Sequence, residues 1–251
     1  MVIGLIAVLI SLLLPVVNRV RAAANAAACL ANVRQMNTAW TIYLTENRGR
    51  LPHYMQSSPG TEIAYRGYWL GILENYRVRG ESLLCPAARE PIPYSQPGNN
   101  KGAGNVNYAW SGKWMTPFSV GRLNTKIYRE GSYGYNDRLT IENKFNIDVP
   151  VTRINQIRNL TEVPVFFDCA MLDAHPDNGN LNFPAQPPHD LNGEFPAVGG
   201  EAHWRFMLAR HGRAINFGFA DGSARRIPLE ETYMLQWGAQ WVKYTLTLPP
   251  Y

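Results

Sequence analysis

The chain has 251 residues, 46% of them apolar and 17% charged, which excludes a disordered chain and leaves room for one or two domains with a sizeable core. Its 21 glycines and 18 prolines follow no Gly-x-y period, so a collagen-like fibre is excluded in favour of a loop-rich globular protein. The net charge of +5 comes from scattered basic residues with no run of five, a pattern that bears on solubility and argues against nucleic-acid binding.

Charge is most unevenly spread at the start. Across 2–17 every residue is apolar or small except Ser11, and no charge appears before Arg19. As a helix rising ~1.5 Å per residue this run is about 24 Å long, against a hydrocarbon core of ~30 Å. Three readings compete. A cleavable secretory signal fits the length and the Ala-x-Ala pattern within 22–28, but no basic region precedes the run. A buried core helix would need a large core on every side. A membrane anchor whose first residues precede this sequence is favoured, because the helical pattern continues. Six of the seven residues in 22–28 are alanine, and no Gly or Pro follows Pro15 until Gly49. Val33, Met36, Trp40, Tyr43 and Leu44 then repeat at steps of three and four, one apolar stripe of a helix. Val2, Ile3, Leu5, Ile6, Leu9, Leu12, Leu13 and Pro15 belong to the membrane and packing segment, and Pro15 is expected to kink it. Asn47, Arg48 and Gly49 end the helix, with Gly49 as a left-handed cap and Pro52 just beyond. The predicted division is 1–47 for the anchoring helix and 48–251 for a globular head.

The head reads as a loop-rich α+β domain with an antiparallel sheet. Strand character appears at 65–73, 106–110, 132–135 and 163–169, each bounded by Gly, Pro or Asn. The clearest signal is a hairpin: Ile215, Phe217 and Phe219 alternate with Asn216, Gly218 and Ala220, then Asp221-Gly222 forms a two-residue turn. That turn would pair Ala220 with Ser223, and a short helix at 229–237 would follow. His211 and Asp221 would lie about 30 Å apart along the strand at ~3.4 Å per residue, too far to act together. Asp221 therefore reads as turn chemistry and His211 as a hydrogen-bonded structural residue.

The long connection 173–203 carries five prolines, four glycines and three histidines, at 175, 189 and 203. Asp173, His175 and Asp177 are weak candidates for a metal loop, but an EF-hand needs Gly sixth and Glu twelfth, where Asn178 and Pro184 stand. No cofactor is expected, calcium being the one candidate. Three cysteines allow one pair and one left over, and no Cys-x-x-Cys motif points to zinc or redox chemistry. In an oxidising compartment Cys85 with Cys169 is the expected disulfide, and Cys29 with Cys85 the alternative. No Gly-x-Ser-x-Gly, phosphate loop or His-Glu-x-x-His occurs, so no catalytic residue is named and no enzyme is expected. The 7 Trp, 13 Tyr and 9 Phe are expected mostly in the core of a loop-rich fold.

The ordered set of the apolar run to Pro15, Asn18-Arg19, Cys29-Leu30-Ala31-Asn32-Val33-Arg34-Gln35, Tyr43, Asn47, Gly49 and Leu51-Pro52 resembles type IV pilin-like proteins. In particular it is similar to pseudopilin-like proteins with a prepilin-type cleavage and methylation signal. The resemblance continues through Leu84-Cys85-Pro86, Ser132-Tyr133-Gly134-Tyr135-Asn136 and Arg210-His211-Gly212. It ends where His211, nine residues on, meets Asp221-Gly222, the His-x9-Asp-Gly signature of one large subgroup. Members start with a basic leader ending in Gly and a mature Phe-Thr-Leu-x-Glu, which this sequence lacks. Roughly eight mature residues and the leader are expected upstream, lengthening the apolar helix to about 24 residues or ~36 Å. Prepilin cleavage and N-methylation are accordingly assigned to no residue of this chain.

The resemblance implies a non-catalytic subunit of a type II secretion or type IV pilus-like assembly, packing with other pilin-like subunits through its helix. Some such proteins bind calcium near the C-terminal loop. The implied location is the inner membrane, single-pass, with an extracytoplasmic head, in a pseudopilus or at the cell surface. Arg19 and Arg21 would draw the head toward the cytoplasm, and the basic leader would oppose them. The alternative is a membrane-tethered or secreted binding protein, for glycan or protein, that uses the export signal without polymerising.

Overall fold

The computed structural model describes residues 2–54, 68–91, 103–111, 118–120, 125–127, 130–141, 151–176, 190–193 and 202–249. The chain opens on one helix, α1 (Val2–Glu46), unbroken through Pro15. Its 45 residues give a rod of about 68 Å at ~1.5 Å per residue. Past its end Gly49 adopts φ 75° and its amide donates to the Leu44 carbonyl at 2.7 Å, the left-handed cap that its position predicts. Cys29, Val33, Met36, Trp40 and Leu44 on one face of the second half are buried. On the opposite face Thr38, Thr41 and Thr45 donate to carbonyls one turn back, at 2.9 Å each.

A short helix α2 (Trp69–Asn75) follows, then, among the described residues, nine strands. β1 (Trp110–Ser111) pairs with β4 (Glu130–Gly131), and β2 (Phe118–Val120) with β3 (Thr125–Ile127), both antiparallel. The main sheet holds β5 (Tyr133–Asn136), β6 (Pro164–Asp168), β7 (Asp173–Ala174), β8 (Ala214–Phe219) and β9 (Ala224–Pro228). Its order is β7-β5-β6-β8-β9. The class is α+β, as the sequence implies, but the sheet is mixed: β7 runs parallel to β5 while the other pairs are antiparallel.

Side-chain alternation divides the interior into two cores, one on each face of this sheet. Phe166 lies in the core shared with α1, beside Trp40, Trp69 and Tyr135. Phe167 lies in the other, with Phe206, Phe217 and Trp237. Val165 joins Phe166 on the α1 side because the register slips between Pro164 and Phe166, a bulge that breaks strict alternation. All six residues of β8 are buried, since α1 covers one face and the aromatic layer the other. Phe167, Phe206, Phe217 and Trp237 stack around one another with ring centroids 4.8–6.0 Å apart.

Several sequence expectations shift. The segment 65–73 is not a strand in its described part: from Trp69 it is α2, because a short apolar run buried on all sides carries no period that separates strand from helix. Strand pairing at 106–110 is confined to Trp110 in β1 and an isolated bridge from Ala109 to Pro91, and the helix expected at 229–237 is a 3-10 helix, Leu229–Met234. The hairpin forms, one residue out of the expected register, with Gly218 opposite Ala224 and the Phe219 amide donating to Ser223. The loop therefore has three residues, 220–222. A two-residue type I′ turn needs positive φ at both positions, whereas here Gly222 alone has it, at 89°. Asp221 instead accepts from the Ser223 amide at 2.9 Å and hydroxyl at 2.7 Å.

Gly218 of β8 packs directly against α1. A Cβ there would meet Asn37 Cγ at 2.9 Å and Val33 Cγ1 at 3.0 Å. Gly218→Val is expected to wedge helix from strand and cost about 1–3 kcal/mol. The check is a lower urea midpoint with unchanged slope for the detergent-solubilised chain.

Candidate functional site

The two halves of α1 have opposite environments. Of the fourteen large hydrophobic side chains that stand exposed among the described residues, eleven precede residue 21, from Ile3 at 84% through Leu12 at 65% to Val20 at 63%. They point to every side of the helix, so this half carries no stripe for packing on its own head. Ser11, the one polar side chain in the run, donates to the Val8 carbonyl at 2.8 Å and so satisfies itself within the helix. α1 is long and apolar enough to cross a membrane, and the apolar part is not buried in the protein. That is the composition of a membrane anchor.

The second half is tied to the head at successive levels. Asn216 Nδ2 donates to the Ala26 carbonyl at 3.4 Å. A disulfide joins Cys29 to Cys85, with Cα atoms 5.0 Å apart. Asn32 Nδ2 donates to the Leu84 carbonyl at 3.0 Å and to Tyr133 Oη at 3.2 Å. Asn37 Nδ2 donates to the carbonyls of Phe219 at 2.6 Å and Ser223 at 3.1 Å, at the mouth of the hairpin.

The expected Cys85–Cys169 bridge is therefore corrected: Cys85 pairs with Cys29, and Cys169 is a buried free thiol. Strand alternation supplies the reason. Phe167 and Cys169 belong to the core away from α1, while Cys29 and Cys85 share the core beneath it. Burial pushes the Cys169 thiol up to about 12, which leaves it protonated at neutral pH.

Beside the disulfide lies a buried ionic group. Asp168 Oδ2 accepts from the Asn216 amide at 2.7 Å and lies 3.4 Å from His211 Nε2, and Asp168 Oδ1 is 3.6 Å from Arg210. Arg210 also donates to the carbonyls of Ser132 at 2.6 Å, Asn105 at 2.7 Å and Val106 at 3.3 Å. Burial alone pushes the Asp168 carboxyl up, but His211, Arg210 and the Asn216 amide outweigh it and hold it below the usual carboxylate range. Burial lowers Arg210 from its own ordinary value, against the pull of Asp168. His211 Nε2 is also 3.5 Å from Cys85 Sγ.

The His-x9-Asp-Gly residues do not meet. His211 precedes β8 and turns to Asp168, and Asp221-Gly222 follows β8 and closes the hairpin, so the spacing frames one strand. A second polar cluster holds two of the metal-loop candidates. Asp173 accepts from Tyr54 at 3.3 Å and Tyr68 at 3.2 Å and pairs with Arg205 at 2.9 Å, and His175 Nδ1 lies 2.7 Å from Asp137. Burial pushes Asp173 above its usual range, although Arg205 draws it down. Asp177 and His189 lie outside the described residues. Among the described residues, the one group of donors close enough to hold a metal ion is Cys29, Cys85, Asp168 and His211.

Sequence reasoning gave no role to Asp168 or Asn37, and Asn32 and Arg210 entered it only within the motifs that carry the resemblance. Two asparagines on an otherwise well-patterned helix, and an Asp in an apolar strand, were the available signals. No family model, characterised protein or solved structure matches the chain.

Asp168→Asn leaves Arg210 buried without its counter-charge and is expected to cost about 3–5 kcal/mol at neutral pH. Because the folded carboxyl titrates below the unfolded value of ~3.9, its stabilisation is present above that pH and lost as pH falls through the folded value. The wild-type advantage over Asp168→Asn should thus shrink below about pH 4, read by denaturant titration across pH. Cys85→Ser opens a loop of sequence separation 56 and is expected to lower stability by about 4 kcal/mol. Mass spectrometry of the unreduced wild-type chain should find a single free thiol, at Cys169.

Proposed function

We propose that the chain is a non-catalytic, pseudopilin-like structural subunit of a type II secretion or type IV pilus-like assembly. The supporting observation is one continuous helix, apolar and exposed on all sides in its first half and built into the core of a β-sheet head in its second. In this reading the first half sits in the lipid of an inner membrane, and the head faces the extracytoplasmic side. The small residues at 22–28, mostly exposed, let neighbouring helices approach closely. The head contributes rigidity through its two cores and its cross-link. Neighbouring pilin-like subunits are the partners of this helix.

The test uses the full chain in membranes, with a cysteine placed at Ala23 or Ala27 and mild oxidation. A subunit that assembles gives a ladder of cross-linked species. A product that stays monomeric at both positions overturns assembly and leaves a membrane-tethered binding head.

A further inference from the structure

We propose that, once the Cys29–Cys85 disulfide is reduced, Cys29, Cys85, His211 and Asp168 bind one zinc ion. The four donor atoms already lie within 4.8 Å of one another, and all four residues are buried. They come from α1, the segment after the 3-10 helix Gly80–Leu83, the turn before β8, and the end of β6. A tetrahedral zinc site with bonds of ~2.3 Å to sulfur and ~2.0–2.1 Å to nitrogen and oxygen has edges of about 3.5 Å from sulfur to nitrogen and about 3.3 Å from nitrogen to oxygen. The structure has 3.5 Å from Cys85 Sγ to His211 Nε2 and 3.4 Å from His211 Nε2 to Asp168 Oδ2. Those two edges need no rearrangement. The sulfur pair must part from its covalent separation to about 3.8 Å, the edge set by two ~2.3 Å bonds, and the three remaining edges, each within 4.8 Å, must settle at about 3.5 Å.

Charge also balances. Two thiolates and one carboxylate against Zn²⁺ leave one negative charge, and Arg210, 3.6 Å from Asp168, supplies the compensating positive one. Asp168 Oδ2, the oxygen that faces His211, also accepts from the Asn216 amide, and a carboxylate oxygen has a second lone pair for the metal. The donor set, two sulfurs with one imidazole and one carboxylate, favours zinc over the oxygen-seeking calcium and magnesium ions.

The chemistry takes two steps. A dithiol gives two electrons and two protons to the sulfur–sulfur bond, becoming a disulfide itself and leaving Cys29 and Cys85 as thiols. Zinc then displaces the two thiol protons to solvent and takes the neutral imidazole and the carboxylate as its remaining ligands. Oxidation reverses both steps and expels the ion. Either way α1 stays fastened to the head at Cys29, by a covalent bond or through the metal. This inference rests on the donor geometry and not on the assembly reading.

The experiment uses the full chain in detergent. A phosphine that does not chelate metal makes the same two-electron reduction, ending as its oxide with oxygen from water. The reduced chain is expected to bind one equivalent of zinc tightly enough to compete with a chromophoric chelator, and cobalt in its place should show sulfur-to-metal charge transfer. The oxidised chain should bind neither. Cys29→Ser and His211→Ala should weaken zinc binding at least tenfold, and Cys169→Ser should leave it unchanged. If reduction unfolds the chain, one equivalent of zinc should restore the far-ultraviolet circular dichroism. The proposal fails if the reduced chain binds no zinc or is not restored by it, if the Cys29 and His211 variants bind as wild type, or if Cys169→Ser abolishes binding.

Discussion

β8 is buried along its full length because the second half of α1 lies on one of its faces and the aromatic layer around Phe167, Phe206 and Trp237 on the other. At Gly218 the seal leaves no room for a side chain, because a Cβ there would meet Asn37 and Val33 of α1. It also means that the helix is not an appendage. Cys29, Val33, Met36, Trp40 and Leu44 supply one wall of a core that β5 and β6 complete with Tyr133, Tyr135, Val165 and Phe166. Removing the helix would expose that wall, and the sheet would lose its apolar cover on one side.

Burial traps polar groups at two places, Asp168 beside the start of β8 and Asp173 on β7 at the far edge of the sheet, and each carries a cost. Asp168 and Asp173 meet that cost differently. Asp168 is surrounded by donors that favour its charge, so its carboxyl is held down despite complete burial. Asp173 has Arg205 and two tyrosine hydroxyls, yet burial prevails and its carboxyl is raised. By linkage the two act in opposite senses: Asp168 stabilises the fold when ionised, whereas Asp173 favours it most when protonated and contributes less as pH rises through its folded value.

The helix, its buried stripe and its Gly49 cap were legible because each follows from local periodicity or backbone freedom. β5, β6 and the hairpin were legible for the same reason, down to Asp221 as turn chemistry. The register was not, since a slip of one residue depends on whether Asp221 takes positive φ, and its bond to Ser223 settles that only in the folded chain. α2 was misread because five consecutive buried residues show no face. The disulfide was missed for a three-dimensional reason: Cys169 and Cys85 look equally near in pattern, but alternation after Asp168 sends them to opposite sides of the sheet. The ionic group at Asp168 joins residues far apart in the chain, and no spacing rule would have gathered them.

Pro15 leaves α1 continuous from Val2 to Glu46, so the exposed apolar half and the half locked into the head share one helical phase. No joint separates them: residues 18–28 are helical throughout. The head and the apolar half are thus held at a fixed angle to one another about the helix axis. One residue inserted in that stretch would turn the head by about 100° and lift it by ~1.5 Å, leaving its core untouched. The rotation of the head relative to the apolar half is set by the count of residues between Arg19 and Cys29.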